Sequence, residues 1–242
     1  MSDEILVEAQ SLQVLAEIEK EAETLGLRLA LIGGYAVRAY TKRRSWRFTK
    51  DMDFVTPKKD IGGIKTTLKK LGFSFEETDF GFKGSKKAGK NGIKLDIAPE
   101  KIIDWTSGKE YAIPDDSFEK AVQKPILAAF EENKAFELEA LVAPVEDVVA
   151  MKLITTRPRD HFDVAGMLLD SSAEFDSKRF AKIIDFNSLG EHCRKRLEEM
   201  LSDIKNGNFR KVWRQYAFQE ITFQQERELK KVLLGLLENR VR

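Results

Sequence analysis

The stretch Leu27-Arg28-Leu29-Ala30-Leu31-Ile32-Gly33-Gly34-Tyr35-Ala36-Val37 leaves this chain fewer choices of fold than any other part of it. Leu27 to Ile32 is a short apolar run suited to a buried strand, and from Tyr35 to Tyr40 the apolar spacing turns helical. Two glycines between them supply a sharp turn that residues with a Cβ make only under strain. Strand, glycine turn and helix in direct succession point to a layered α/β arrangement.

The neighbouring segments extend the pattern. Glu4 to Leu25 reads as an amphipathic helix stopped by Gly26. Met52 to Val55 is a second strand, ended by Thr56 and Pro57, and Asp60 suits the N-cap of a helix running to Leu71 before Gly72. Phe73 to Glu76, Phe80 to Lys83 and Ile93 to Ala98 are further strand candidates; Gly84, Ser85, Gly89, Asn91 and Gly92 form the expected hairpin tip. A less regular region around Pro114 and Pro125 and one strand from Phe136 to Val142 follow. Beyond Pro144 the spacing is helical, interrupted at Arg157-Pro158, resumed through Leu169 and completed by two or three more helices. The expected class is α/β (α+β): an N-terminal lobe at 1–113 with a mixed sheet flanked by helices, then a mainly helical C-terminal lobe at 114–242.

Within that frame the carboxylates stand out. In Lys50-Asp51-Met52-Asp53-Phe54-Val55, strand alternation turns Asp51 and Asp53 to one face and Met52 and Phe54 to the other. In Lys94-Leu95-Asp96-Ile97, Asp96 likewise faces away from Leu95 and Ile97. Neighbouring strands would gather three carboxylates, a costly grouping of like charges unless a cation such as Mg²⁺ neutralises it. Two solvated acids on an edge strand would give the same D-x-D spacing. Such a triad beside a phosphate-binding glycine turn suits phosphoryl chemistry.

Composition limits the alternatives. Of 242 residues, 42% are hydrophobic and 33% charged, with a net charge of only +1, so any nucleic-acid contact must rest on local clusters. Two exist: Arg38, Lys42, Arg43, Arg44, Arg47 and Lys50, and Lys83, Lys86, Lys87, Lys90 and Lys94. Each is either a cleft mouth attracting phosphates or a solvated face. The acidic N-terminus does not read as a secretory leader, no segment has the apolar length of a membrane span, and the single Cys193 excludes an internal disulfide; a cytoplasmic protein without membrane contact is expected. His161 pairs with no second histidine at zinc-site spacing and is expected to lie at the surface. Trp46 is either a nucleobase-stacking residue or a partly buried anchor.

The order of these parts resembles the DNA polymerase-β-like nucleotidyltransferase superfamily: apolar strand, Gly-Gly turn, D-x-D strand, later third acid. The wording Gly33-Gly34-Tyr35-Ala36-Val37, then Arg47-Phe48-Thr49-Lys50-Asp51-Met52-Asp53, is most similar to the AbiEii-type branch of abortive-infection and toxin–antitoxin nucleotidyltransferases, and also resembles antibiotic nucleotidyltransferases. Lys152 and Arg157-Pro158-Arg159-Asp160-His161-Phe162-Asp163 resemble that branch's lysine and following acid. The resemblance implies an NTP-using, Mg²⁺- (or Mn²⁺-) dependent enzyme. Asp51 and Asp53 would be metal ligands, Asp96 a third ligand or catalytic base, and Gly33 and Gly34 the triphosphate cradle. Arg47, Lys50, Lys152 and Asp160 would contact the nucleotide; for Asp160 and Asp163, salt bridges to Arg157 or Arg159 are an equal alternative. It implies an RNA or tRNA acceptor and a cognate antitoxin as partners, with a small-molecule acceptor or a non-catalytic binding member as alternatives.

Overall fold

The computed structural model describes residues 2–87 and 92–238. The expected hairpin-tip residues Gly89 and Asn91, and Lys90 of the second basic cluster, lie outside them. Helix α1 (Ser2–Thr24) is closed by Gly26 at φ +63, the left-handed position that lacks a steric penalty only for glycine. Strand β1 (Ala30–Ile32) is buried throughout, and α2 (Gly33–Tyr40) begins on the first glycine rather than two residues later. Then come β2 (Met52–Val55), α3 (Ile61–Lys70), β3 (Ser74–Thr78), β4 (Gly81–Lys86) and β5 (Ile93–Ala98). Asp60 departs from its expected capping role: it makes no capping bond to α3, and its carboxylate accepts the Arg28 amide at 3.2 Å. Gly84 and Ser85, expected in the hairpin tip, lie inside β4, which pairs with β5 as far as Lys86↔Ile93.

Next are β6 (Lys101–Asp104) and β7 (Lys109–Ala112), which form a two-stranded hairpin, then the single turn α4 (Asp116–Glu119), β8 (Val122–Leu127) and β9 (Glu137–Val142). The remainder is α5 (Val145–Leu153), α6 (Pro158–Asp170), α7 (Ser177–Phe186), α8 (Gly190–Asn206), α9 (Asn208–Tyr216) and α10 (Phe223–Glu238). Among the described residues, four helices therefore follow α6. None of the described helices is long and apolar enough to cross a membrane.

The main sheet has the order β3-β4-β5-β2-β1-β9-β8. Pairing is parallel for β2 with β5 and β1 with β9, and antiparallel for the other neighbours. Strand β8 lies at one edge, where the missing amide of Pro125 removes no bond from a strand interior. The chain divides into two compact units. One holds the chain up to Ala39 with Phe48–Ile102 and Ile113–Pro144; the other holds Tyr40–Arg47, Ile103–Ala112 and everything from Val145 onward. This differs from the boundary at 113/114 that the composition shift indicates. Residues 113–144 belong with the sheet because β9 pairs beside β1, with Leu31 opposite Val142 and the Ala143 amide bonded to the Leu31 carbonyl at 3.0 Å.

In the sheet unit, α1 contributes Leu12, Leu15 and Ile18 to the core, all inaccessible to solvent. The same helix carries a buried carboxylate. Glu8 accepts from Arg38 Nη1 at 2.8 Å, the Ala129 amide at 2.9 Å, the Phe130 amide at 3.2 Å and Asn133 Nδ2 at 3.0 Å. It thereby ties α1 and α2 to the segment after β8. In the helical unit, Phe162 of α6 meets Trp213 of α9 edge-on at 4.7 Å between ring centroids. Glu8→Ala would leave the buried Arg38 guanidinium without its carboxylate, with the Leu127 carbonyl at 3.3 Å still accepting from Nη1, and two amides without their acceptor. The expected loss is about 3–5 kcal/mol of unfolding free energy by urea titration; a loss below about 1 kcal/mol would contradict the role assigned to Glu8.

Candidate active site

The parallel register of β2 on β5 aligns Met52 with Leu95, Asp53 with Asp96 and Phe54 with Ile97. Met52, Phe54, Leu95 and Ile97 are buried, so the alternate positions Asp51, Asp53, Lys94 and Asp96 share the other face. Strands β4 and β3 continue that face outward: Lys83 lies opposite Asp96 and Glu76 opposite Lys83, while Ser85 lies opposite Lys94 and Ser74 opposite Ser85. Four adjacent strands thus present two transverse polar rows. One reads Glu76, Lys83, Asp96, Asp53; the other reads Ser74, Ser85, Lys94 and then Asp51, one step before the paired register. A cleft of about 570 Å³ opens on these rows, with Asp51 and Asp96 at its inner end.

Gly33 explains why the rows stop where they do. Its φ is +66, and a Cβ built there would sit 2.0 Å from Asp53 Oδ2. Glycine is required both by the backbone angle and by the carboxylate pressed against it. At Gly34 an added Cβ would fall 2.4 Å from Thr49 Oγ1, so Thr49, a residue that the sequence does not single out, fills the space beside the second glycine. The room made by the two missing side chains is therefore occupied by Asp53 and Thr49. What remains for a phosphate is the start of α2, whose first-turn amides have no partner within the helix. Lys50 is exposed, and its carbonyl is held by Ser11 Oγ of α1 at 2.7 Å.

The electrostatics of the rows are unbalanced near their inner end. Partial burial pushes the Asp96 carboxyl above the usual carboxylate range; Lys83 pulls it back, Asp51 adds to the rise and Lys94 opposes it. Oxygen-only donors of this kind suit a hard dication. Among the described residues, however, no three Asp, Glu, His or Cys side chains converge as a ready metal cluster. The backbone brings Asp53 and Asp96 side by side, about 4.8 Å apart at the strand spacing, with Asp51 on the same face one step before the paired register.

The other nucleotide-contact candidates lie in the helical unit, where they bind one another. Arg47 grips Asp163 through Nε and Nη2, both at 2.8 Å. Lys152 of α5 reaches Asp163 at 2.8 Å and Asp160 at 3.0 Å. Asp160 also accepts from Arg157 Nε and Thr155 Oγ1, both at 2.6 Å. Asp160 and Asp163 are fully buried, and their carboxyls fall below the usual range: burial alone would raise them, and Lys152 leads the opposing charges, followed by Arg157 at Asp160 and Arg47 at Asp163. The salt-bridge alternative for Asp160 therefore holds through Arg157, with Lys152 added. Trp46 is a buried anchor whose Nε1 donates to the Thr41 carbonyl at 2.9 Å. His161, expected at the surface, is 7% exposed; burial, aided by the Arg196 charge and opposed by Asp160, pushes its pKa down to about 4.

Comparison with known proteins follows this geometry. The family described as "Nucleotidyl transferase AbiEii toxin, Type IV TA system" matches residues 14–232. No curated protein matches. Among solved structures, JHP933 from Helicobacter pylori is similar at 16% identity and TM-score 0.49, over 96% of this chain and 92% of that one. The antibiotic-resistance factor ANT(2'')-Ia is similar at 17% identity and TM-score 0.47, over 75% of this chain and 93% of that one. The lincosamide antibiotic adenylyltransferase LnuA is similar at 16% identity and TM-score 0.39, over 60% and 89%.

Two measurements test the geometry. Gly33→Ala must displace Asp53 or distort the turn, and is expected to lower unfolding free energy by about 1–3 kcal/mol. Gly62→Ala in α3, where an added Cβ meets nothing within 4 Å, is expected to be neutral or to stabilise by about 0.4–1 kcal/mol. Equal effects from both would remove the case for Gly33. For His161, a folded pKa of about 4 against 6.5 means that the unfolded chain binds the proton first. The His161 contribution to stability should therefore fall by about 3 kcal/mol as pH drops from 6.5 to 4, while Glu19, whose carboxyl burial pushes up to about 8, contributes in the opposite sense as pH drops from 8 toward 4.5. The depressed Asp160 and Asp163 lose their contributions only below the ordinary carboxylate range. His161→Gln should remove the His161 loss, so that its urea midpoint relative to wild type rises as pH drops from 6.5 to 4; a difference that does not change with pH would refute the assignment.

Proposed function

We propose, from the premise that the chain belongs to the AbiEii nucleotidyltransferase family, that it transfers a nucleoside monophosphate from an NTP to an acceptor hydroxyl with the aid of Mg²⁺ or Mn²⁺. The observation that carries this reading is the pairing of Asp53 with Asp96 in one register, against the backbone of Gly33. Asp51, Asp53 and Asp96 would hold the cation. With the cation held by these carboxylates, its positive charge would offset that of the phosphates and the departing pyrophosphate.

The chain's own groups account for the other requirements. The first-turn amides of α2 donate to the triphosphate, and the absence of a Cβ at Gly33 lets Asp53 lie against that turn, as its absence at Gly34 does for Thr49. Lys50, exposed beside Asp51, supplies a mobile cation for the phosphates. Asp96 is one of three carboxylates lining the cleft, and its raised proton affinity suits it, where it does not serve as the third ligand, to accept the proton of an acceptor hydroxyl. Arg47, Lys152 and Asp160 are assigned to support of the helical unit, since their charges already neutralise one another. The family's description as a type IV toxin supports a cognate antitoxin as partner.

Incubation with each labelled NTP, Mg²⁺ or Mn²⁺, and either total RNA or a small-molecule acceptor panel tests the reading. Wild type should transfer label to one acceptor class, and Asp53→Asn should reduce the rate about a hundredfold or more. No transfer and no NTP binding under any condition would falsify it.

A further inference from the structure

The outer half of the polar rows, beyond Asp96, has no task in binding an NTP, yet it lines most of the cleft. From its charges and register we infer that this half is the acceptor subsite and that it takes a hydroxyl compound bearing a phosphate ester, with Lys83 and Lys94 as the phosphate-recognising pair. The inference rests on the nucleotidyl-transfer reading of the same site.

The charge balance selects the class. The cleft is lined by three carboxylates, Asp51, Glu76 and Asp96, and two ammonium groups, Lys83 and Lys94, a net charge of −1. Counted with Asp53, the third proposed ligand of the cation, the balance is −2; a dication held by the three acids brings it to zero and leaves Lys83 and Lys94 as the dominant charges of the outer cleft. The cation therefore strengthens the attraction for an acceptor carrying phosphate and weakens it for a polyamino sugar.

Register gives the pair its geometry. Lys83 faces Asp96 and Lys94 faces Ser85 across β4 and β5, so the two lysines are diagonal neighbours on one face. Diagonal positions on paired strands lie about 7–8 Å apart, a spacing at which two flexible ammonium groups can close on one phosphate. Both side chains are exposed, in contrast to Arg47 and Lys152, whose charges are matched by Asp163 and Asp160. Next to Lys94, the Ser74 and Ser85 hydroxyls lie 3.0 Å apart and extend the row with uncharged donors and acceptors suited to sugar oxygens. Glu76 at the far end bounds the positive zone on its outer side.

Binding assays separate this inference from the transfer reading. Fluorescence anisotropy would follow a labelled mixed-sequence ribo-12-mer, and calorimetry would follow adenosine 5′-monophosphate and an aminoglycoside, each with and without Mg²⁺. Wild type is expected to bind at least one phosphate ester more tightly with Mg²⁺ and to bind the aminoglycoside less tightly with it. Binding of the 12-mer alone identifies a polymer acceptor, and binding of the mononucleotide identifies a small phosphate ester. Lys83→Met and Lys94→Met should each weaken that ligand about five- to tenfold, and for the 12-mer each should reduce the salt slope by about 0.7. Lys58→Met removes an equal charge outside the cleft, from an exposed pair with Glu100, and should leave the affinity within about twofold. Phosphate-ester affinity in the cleft variants that matches the Lys58→Met control overturns the inference. So does loss of Mg-NTP affinity alone, or aminoglycoside binding strengthened by Mg²⁺. If wild type binds a phosphate ester through the two lysines but binds no NTP, the transfer reading fails while the subsite stands.

Discussion

The parallel pairing of β2 with β5 is the constraint from which the rest of the site follows. Its register is fixed by apolar burial, because Met52 and Phe54 on one strand and Leu95 and Ile97 on the other occupy the core. A slip of β2 by one residue would move Met52 and Phe54 into water and carry Asp51 and Asp53 into the core, and a slip of β5 would likewise expose Leu95 and Ile97 and bury Asp96, a double penalty that holds the pairing in place. The same forces that bury the core therefore compel two carboxylates to lie side by side. That proximity is unfavourable in itself, and its persistence in a well-packed sheet is a sign of function.

Gly33 couples this register to the turn. Because Ile32 of β1 is aligned with Asp53 of β2, the residue after Ile32 meets the Asp53 carboxylate and must have no side chain. The helix start is consequently fixed within contact distance of the acid strand, by exclusion of volume rather than by a bond. Turn, helix N-terminus and carboxylate form one mechanical unit, which accounts for their occurrence together in the sequence.

Much of this was legible beforehand. Alternation in Asp51-Met52-Asp53-Phe54 and in Lys94-Leu95-Asp96-Ile97 gave the faces, and Gly33-Gly34 gave the turn, because each signal is local. The outer polar rows were not legible: that Lys83 adjoins Asp96 and Ser74 adjoins Ser85 depends on strand pairing across the β3–β4 turn and the segment between β4 and β5. Strand β8 was obscured by Pro125, which excludes a central strand but suits an edge. Asp60 carried a capping signal, but its carboxylate is taken by the Arg28 amide. Arg47 and Lys152 read as phosphate-binding groups because single-sequence reasoning sees charge without its partners. Asp163, 116 residues beyond Arg47, is the acid that claims it.

The distribution of those partners separates the two sets of acids. In the helical unit, Asp160 and Asp163 are buried and neutralised internally by Lys152, Arg47 and Arg157, so their proton affinity falls. On the sheet, partial burial raises the proton affinity of Asp96, Asp51 adds to the rise, and Lys83 and Lys94 oppose it only in part. A chain with 41 basic and 40 acidic side chains has cations enough to pair the sheet acids as fully as the helical ones. Fold stability would favour such pairing, since a third lysine on the open face would relieve the repulsion at little entropic cost. The acids Asp51, Asp53 and Asp96 instead share the face where Gly33 brings a helix N-terminus within reach. Negative charge beside first-turn amides that lack partners within their helix is a pattern suited to a cation and an anion arriving together.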